Sequence, residues 1–134
     1  MSTLAKKIFL RSSDGMIFQV EETVALQSQT IADMVKDDSV SHQIRIPNVT
    51  GDILEMVIKY CKKHVVASSS SSEEKLKKWD TDFVSKMDRS TLVRMINAAY
   101  YLNIKDLFDL TCKNVADRIM ACRTVEEIHD FLGA

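Results

Sequence analysis

The sequence predicts an α+β domain in which a small three-stranded sheet packs on a cluster of helices. Two observations predict this class. An Asp14-Gly15 turn joins two short segments of strand character near the start, and apolar residues recur at helical spacing from Ile53 onward. The length of 134 residues matches one domain, since most domains contain roughly 100–150 residues.

The predicted sheet consists of a hairpin and one later strand. Residues 7–11 and 16–20 form the two arms of the hairpin, because the Asp-Gly pair between them tolerates the positive φ angles of a tight turn. Apolar residues alternate along the second arm, which predicts one buried face. Ile44-Arg-Ile46 alternates in the same way and ends at Pro47, so we expect it to be the third strand.

Five helical segments are expected, and four of them begin at a residue that can cap a helix N-terminus. Capping residues have a short side chain whose oxygen accepts a hydrogen bond from a backbone N–H of the first turn. The predicted caps are Thr30, Thr50, Asp88 or Ser90, and Thr124, which opens the box Thr124-Val-Glu-Glu127. The remaining helix extends from Ile104 to Ile119, about 16 residues of amphipathic periodicity.

Residues 66–78 interrupt the helical pattern. They contain five consecutive serines, 68–72, followed by a segment rich in glutamate and lysine, 73–78. So few apolar side chains cannot offset the entropy lost on ordering, and the sequence therefore predicts a mobile loop here. The serines also leave phosphorylation open as an additional property of the segment.

Composition argues against several classes of function. Lys and Arg total 18 against 19 Asp and Glu, so no basic surface for nucleic acid or an anionic membrane is predicted. Three glycines and one proline leave little material for a phosphate-binding loop or a nucleophile elbow. No signal peptide is evident at the start, so the default expectation is the cytosol or nucleus.

The cysteines and histidines do not form a recognisable reactive site. Cys61 and His64 have metal-like spacing, but both fall on the apolar face of one helix and no second ligand pair accompanies them. Cys112 and Cys122 are also expected to be reduced, inert thiols. The sequence therefore predicts no catalytic residue, no cofactor and no metal, with a small thiol or zinc enzyme as the remote alternative.

Two adjacent tyrosines give the first positive indication of function. Tyr100 and Tyr101 lie near the end of a predicted helix, where neighbouring side chains point about 100° apart. One of them is therefore expected to project into solvent, as an interface anchor or as a half-buried tyrosine with a hydrated hydroxyl. The apolar surplus on the later helices likewise suggests that a partner covers part of this region.

Sequence motifs along nearly the whole chain resemble those of the Skp-type adaptors of SCF ubiquitin ligases, in the same order. The residues are most similar to those of plant members. The segments that carry the resemblance are residues 7–15, 18–20, 27–31, 47–49, 57–64, 79–83, 98–105, 107–112, 115–116 and 124–128. The resemblance implies a BTB/POZ-like core followed by a C-terminal helical extension. It assigns residues 1–65 and 79–103 to the core and residues 66–78 to a loop between them. Residues 104–134 form a partial F-box-binding region.

The resemblance also implies a function and its surfaces. Such adaptors are not enzymes, and they bridge a cullin scaffold to F-box substrate receptors for protein ubiquitination and degradation in the nucleus and cytoplasm. The RING subunit is held indirectly, through the cullin. The implied cullin-binding residues are Tyr100, Tyr101 and Asn103. The implied F-box-binding residues are Leu107, Leu110, Thr111, Val115, Ile119 and Ile128.

The sequence departs from the family pattern at three places. Tyr100 replaces the usual asparagine, and Val125 replaces a proline that would preset the helix start. The chain also ends before the acidic helix and terminal tryptophan of the family, so we expect a shortened helical extension with part of the F-box surface absent. Two hypotheses follow: a working adaptor, or a truncated paralogue that binds cullin but recruits F-box proteins weakly, as a decoy or remnant.

Overall fold

In the part of the chain that the computed structural model describes, two strands and two short helices precede the third strand, and five helices follow it. The structure describes residues 7–35, 43–70 and 73–132, with the backbone alone for 66–70. The strands are β1 (Lys7–Arg11), β2 (Ile17–Glu21) and β3 (Gln43–Arg45). The helices are α1 (Glu22–Ala25), α2 (Gln29–Val35), α3 (Gly51–Ser70), α4 (Glu73–Ser85), α5 (Arg89–Leu102), α6 (Lys105–Met120) and α7 (Val125–Leu132).

The sheet has β1 in its centre, antiparallel to β2 and parallel to β3. Leu10 lies opposite Phe18 on one side and Ile44 on the other, and Leu10 and Ile44 are buried. Alternate residues face solvent, as the period of two requires. Gly15 has a φ of 87°, which confirms the tight turn predicted at Asp14-Gly15. The sheet and the helices together confirm the predicted α+β class.

Helix α5 forms the centre of the helical part. Its buried residues are Leu92, Met95, Ala98, Ala99 and Leu102. It packs against α3, α6 and α2. Arg118 of α6 donates hydrogen bonds to the carbonyls of Val84 and Met87, at 3.0 and 2.8 Å, and so ties α6 to the end of α4. A cation at a helix C-terminus also complements the helix dipole.

The prediction of a loop across residues 66–78 is wrong for the described part of that segment. Helix α3 continues through Ser70 and α4 begins at Glu73, while residues 71 and 72 lie outside the described residues. Two acids in the first turn of α4, Glu73 and Glu74, complement its dipole. Tertiary contacts between the neighbouring parts of the two helices bury apolar side chains, which the segment itself has too few of. The mobility of the segment stays a prediction.

Those contacts form an aromatic cluster between α3 and α4. Trp79 and Phe83 stack with ring centroids 4.8 Å apart, and Tyr60 lies 6.0 Å from Phe83. His64 Nε2 and Asp80 Oδ1 are 2.8 Å apart across the same two helices. Burial raises the pKa of Tyr60 above its ordinary value, with nearby carboxylates adding to the effect. The cluster explains why α4 is ordered where the sequence alone suggested a loop.

Two of the predicted N-caps are confirmed, Thr50 is confirmed in position only, since its carbonyl accepts from the Leu54 N–H at 2.8 Å, and Thr30 is wrong because it lies inside α2. Asp88 accepts a hydrogen bond from the Thr91 N–H at 2.8 Å, and Thr124 accepts one from Glu127 at 3.1 Å. Thr30 and Thr50 do not cap in this way. The Ser28 hydroxyl accepts from Ile31 N–H to cap α2, and the Asp14 carboxylate accepts from Gly51 N–H at the start of α3.

Acid is expected to destabilise the fold in part by protonating the capping carboxylate of Asp88. The substitution Asp88→Asn should therefore reduce the loss of stability at low pH. Hydrogen bonds from the Thr91 side chain and backbone lower the pKa of Asp88 below its ordinary value of 3.8. A carboxylate with a lowered pKa stabilises the fold at pH values above its unfolded-state pKa. This stability is lost as the pH falls through its folded-state pKa. Melting temperatures measured from pH 7 to pH 2 should therefore decrease once the pH is below about 4. The decrease should be less steep in Asp88→Asn, because asparagine keeps the cap but does not titrate. Identical slopes in the two proteins would contradict the assignment.

Candidate protein-binding surfaces

The end of α5 and the start of α6 form a projecting corner. Tyr100 is 74% exposed, Tyr101 is half-buried, and Asn103 between the two helices is exposed. The expectation that one of the adjacent tyrosines projects is therefore confirmed. We call Tyr100, Tyr101, Asn103 and Phe108 the corner surface.

Phe108 is a member of this surface that the sequence reasoning missed. Its ring centroid lies 5.9 Å from that of Tyr100, with the planes tilted by 48°. The same argument that singled out the tyrosines could have found it, because Leu107 and Phe108 are adjacent large side chains that cannot both face inward. Since Leu107 is fully buried, Phe108 is turned outward to meet Tyr100.

The corner surface borders an open groove of about 830 Å³. The other residues that line it include Thr30, Asn48, Asn97 and Lys105. Exposed aromatic rings beside amide and hydroxyl groups are typical of protein interfaces, where aromatic side chains supply contact area and the polar groups orient the partner.

Asn103 gives the corner its shape. It has φ 53° and ψ 54°, a left-handed conformation that asparagine tolerates better than most residues. The N–H of Asn103 donates to the Tyr100 carbonyl at 3.2 Å, and the N–H of Ile104 donates to Ala99 at 3.0 Å. These two bonds form a Schellman motif, which ends α5 and directs the chain into α6.

Apolar side chains from Leu110 of α6 to Leu132 of α7 are incompletely buried. Four of the residues predicted to bind an F-box protein are half-buried here: Leu110, Val115, Ile119 and Ile128. Three further apolar side chains are largely exposed: Met120 at 83%, Val125 at 81% and Leu132 at 56%. None of the eight residues of α7 is buried. We call these seven residues the α6–α7 surface.

Two predicted F-box contacts are corrected by the structure. Leu107 and Thr111 are both 0% exposed and face α5, so they belong to the core and not to the surface. The Thr111 hydroxyl is satisfied within α6 by the carbonyls of Leu107 and Phe108, at 2.9 and 3.0 Å. Residues four apart share one face of a helix, and this face of α6 is the inner one.

The reactive side chains are dispersed in the structure. Cys61 is buried in apolar surroundings, which raises the pKa of its thiol to about 12, and His64 contacts Asp80. Cys112 and Cys122 are half-buried free thiols. Within the described residues, no three His, Cys, Asp or Glu side chains form a group that could hold a metal ion. No described helix combines the length and apolar character required to cross a membrane.

Comparison with protein families gives two matches. Residues 6–66 match the tetramerisation domain of the Skp1 family, of the POZ type, and residues 105–134 match the dimerisation domain of the same family. The first match contains all three strands and most of α3, and it confirms the predicted BTB/POZ-like core. The second match begins where α6 begins.

Similar proteins are found in Arabidopsis thaliana. SKP1-like protein 1A is 55% identical over 133 residues, which cover 92% of this chain and 82% of that protein. SKP1-like protein 13 is 53% identical, with coverage of 97% and 86%, and SKP1-like protein 10 is 54% identical, with coverage of 99% and 86%. The chain therefore belongs to the Skp1 family, with plant SKP1-like relatives.

Membership confirms the resemblance inferred from the sequence and defines a general role. Skp1 family proteins are adaptors of SCF ubiquitin ligases, which work with cullins and F-box proteins and are generally non-catalytic. In general terms, the role of this chain is that of an SCF adaptor.

Proposed function

We propose that this chain bridges a cullin scaffold to F-box substrate receptors and performs no bond-making chemistry itself. The observation that carries the proposal is that two sets of incompletely buried apolar side chains lie on the consecutive helices α5, α6 and α7. The corner surface lies at the junction of α5 and α6, and the α6–α7 surface runs from Leu110, in the first half of α6, to Leu132 at the end of α7. An adaptor requires two such separated contact areas.

The corner surface is the proposed cullin contact. Tyr100 presents most of its ring to solvent while one part contacts Phe108, so the ring is oriented before a partner arrives. A pre-oriented aromatic side chain loses little conformational entropy on binding, which is why tyrosine is common among binding hot spots. Tyr101 and Asn103 extend the same contact area.

The α6–α7 surface is the proposed F-box contact. Met120, Val125 and Leu132 expose much of their apolar area, and α7 buries none of its residues against the rest of the described chain. Covering exposed apolar surface stabilises a complex by roughly 25 cal/mol per Å² before the costs of association. A helix of an F-box protein is the type of partner whose apolar face could cover these side chains.

The two surfaces could be occupied at the same time, because most of the α6–α7 surface lies beyond the first half of α6 and only Leu110 lies near the corner, two residues from Phe108. Phe108 and Ile119 are 11 residues apart in α6, or about 16 Å along the helix axis. The consequence is positional: a substrate held by the F-box protein is kept near the ligase, which raises its effective concentration there. The RING subunit would be held through the cullin, and we propose the nucleus and cytoplasm as the location.

Calorimetric titrations test this proposal. A cullin N-terminal fragment and an F-box peptide are each titrated into the full chain, and we expect micromolar or tighter binding of both. If no cullin fragment binds, the proposal is wrong. If the cullin binds and the F-box peptide does not reach micromolar affinity, the alternative of a paralogue that recruits F-box proteins weakly is supported instead.

A further inference from the structure

The C-terminus of α5 has two carbonyl groups that its own backbone leaves without partners. The Schellman motif at Asn103 uses the carbonyls of Ala99 and Tyr100, and this leaves those of Tyr101 and Leu102. The last carbonyls of any helix need partners from outside the helix, or from water. Here one of the two carbonyls belongs to Tyr101, a residue of the corner surface, and the other to its neighbour Leu102.

Three consecutive residues of the distant segment 28–30 complete this helix end. The Thr30 hydroxyl donates to the Tyr101 carbonyl at 2.9 Å, and the Ser28 hydroxyl donates to the Leu102 carbonyl. The Gln29 N–H donates to the carbonyl of Asn103 itself, at 3.3 Å. Three successive carbonyls of the corner therefore accept hydrogen bonds from three successive residues that lie more than 70 positions earlier in the chain.

Ser28 links two helix ends with one hydroxyl group. It accepts from the Ile31 N–H at 3.1 Å, which caps α2, and it donates to Leu102, which caps α5. Ser28 is 2% exposed, so water does not compete effectively for these bonds. The start of α2 and the end of α5 are therefore held in one arrangement.

We propose that Ser28 and Thr30 are positioning residues for the corner surface. They hold Tyr101 and Asn103 in the arrangement that presents Tyr100 to a cullin. This inference rests on the proposed function. It adds two residues to those that determine cullin binding, and both act through hydrogen bonds to the carbonyls of Tyr101 and Leu102. Thr30 is half-buried and also lines the groove beside the corner, whereas Ser28 is buried and cannot contact a partner, so the effect of Ser28→Ala on binding isolates the indirect, positioning contribution.

The test compares variants by calorimetry with the cullin N-terminal fragment. Thr30→Val keeps the side-chain shape and removes the hydroxyl, so it should weaken binding about five-fold, while Thr30→Ser, which keeps the hydroxyl, should stay within about two-fold. Ser28→Ala should weaken binding at least as much as Thr30→Val. The matched control is Thr81→Val, which also removes a hydroxyl-to-carbonyl bond of 2.9 Å, but within α4.

Two further measurements separate positioning from general damage and from failure of the proposed function. F-box peptide affinity should change less than about two-fold in all four variants, because the α6–α7 surface does not depend on these bonds. Amide hydrogen exchange at Asn103 and Ile104 should accelerate in Thr30→Val and Ser28→Ala, and not in Thr30→Ser or Thr81→Val.

Each outcome decides the inference. Normal cullin affinity of Thr30→Val, together with weakened binding of Tyr100→Ala, would overturn the positioning role while leaving the proposed function intact. If the wild-type chain binds no cullin, the proposed function fails. In that case, unchanged exchange at Asn103 and Ile104 overturns the positioning role as well, and accelerated exchange supports it as a property of the corner.

Discussion

Replacing Tyr100 with alanine is expected to weaken cullin binding about 30-fold or more, the effect of losing a hot-spot residue worth roughly 2 kcal/mol. Tyr100 is 74% exposed in the isolated chain and contacts Phe108, so its ring contributes area to a partner and little to the fold. The free energy of unfolding should therefore change little. Calorimetry with the cullin N-terminal fragment measures the first quantity, and urea denaturation measures the second.

Two controls identify the ring as the cause of the Tyr100 effect. Tyr100→Phe keeps the ring and should retain most of the affinity. Phe9→Ala removes another aromatic side chain, 37% exposed on the outer face of the sheet, and should leave cullin binding unchanged. Equal affinities of Tyr100→Ala and the wild type would show that the corner surface is not the contact.

Replacing Leu107 with alanine is expected to lower the free energy of unfolding by about 2–5 kcal/mol, the usual cost of such a change in a packed core. Leu107 is 0% exposed and joins α6 to α5. For a domain with a typical stability of about 5–15 kcal/mol, this is a large fraction of the total. The measurement is urea denaturation followed by far-ultraviolet circular dichroism.

Leu110→Ala is the matched control for Leu107→Ala, since it removes the same atoms from a half-buried position three residues later. It should cost less stability and weaken binding of an F-box peptide. If Leu110→Ala were as destabilising as Leu107→Ala, the assignment of Leu107 to the core and of Leu110 to its half-buried edge would be wrong.

Local patterns predicted much of the fold. The Asp14-Gly15 turn, the period-two strands and the apolar periodicity of α3, α5 and α6 all concern residues close in sequence, where geometry follows from spacing. The same spacing argument predicted that one of two adjacent tyrosines projects. Spacing does not separate Leu107, which is fully buried, from Leu110, which is half-buried, because residues three apart lie on nearly the same side of a helix and tertiary packing decides how deeply each is buried.

Features that depend on distant residues could not be predicted. Glu73 and Glu74 begin a helix partly because Trp79 and Phe83 meet Tyr60, which lies on another helix. The true cap of α2, Ser28, was missed in favour of Thr30, whose hydroxyl instead reaches Tyr101 across the chain. Such hydrogen bonds leave no periodic signal in the sequence, since their partners are set by tertiary packing.

The most direct test of the bridging role is a titration of an F-box peptide into the chain already saturated with a cullin N-terminal fragment. Two separate surfaces predict a ternary complex with one copy of each component, in which the peptide binds with the same affinity as it does to the free chain. Displacement of one partner by the other would contradict the account, as would the absence of any cullin complex.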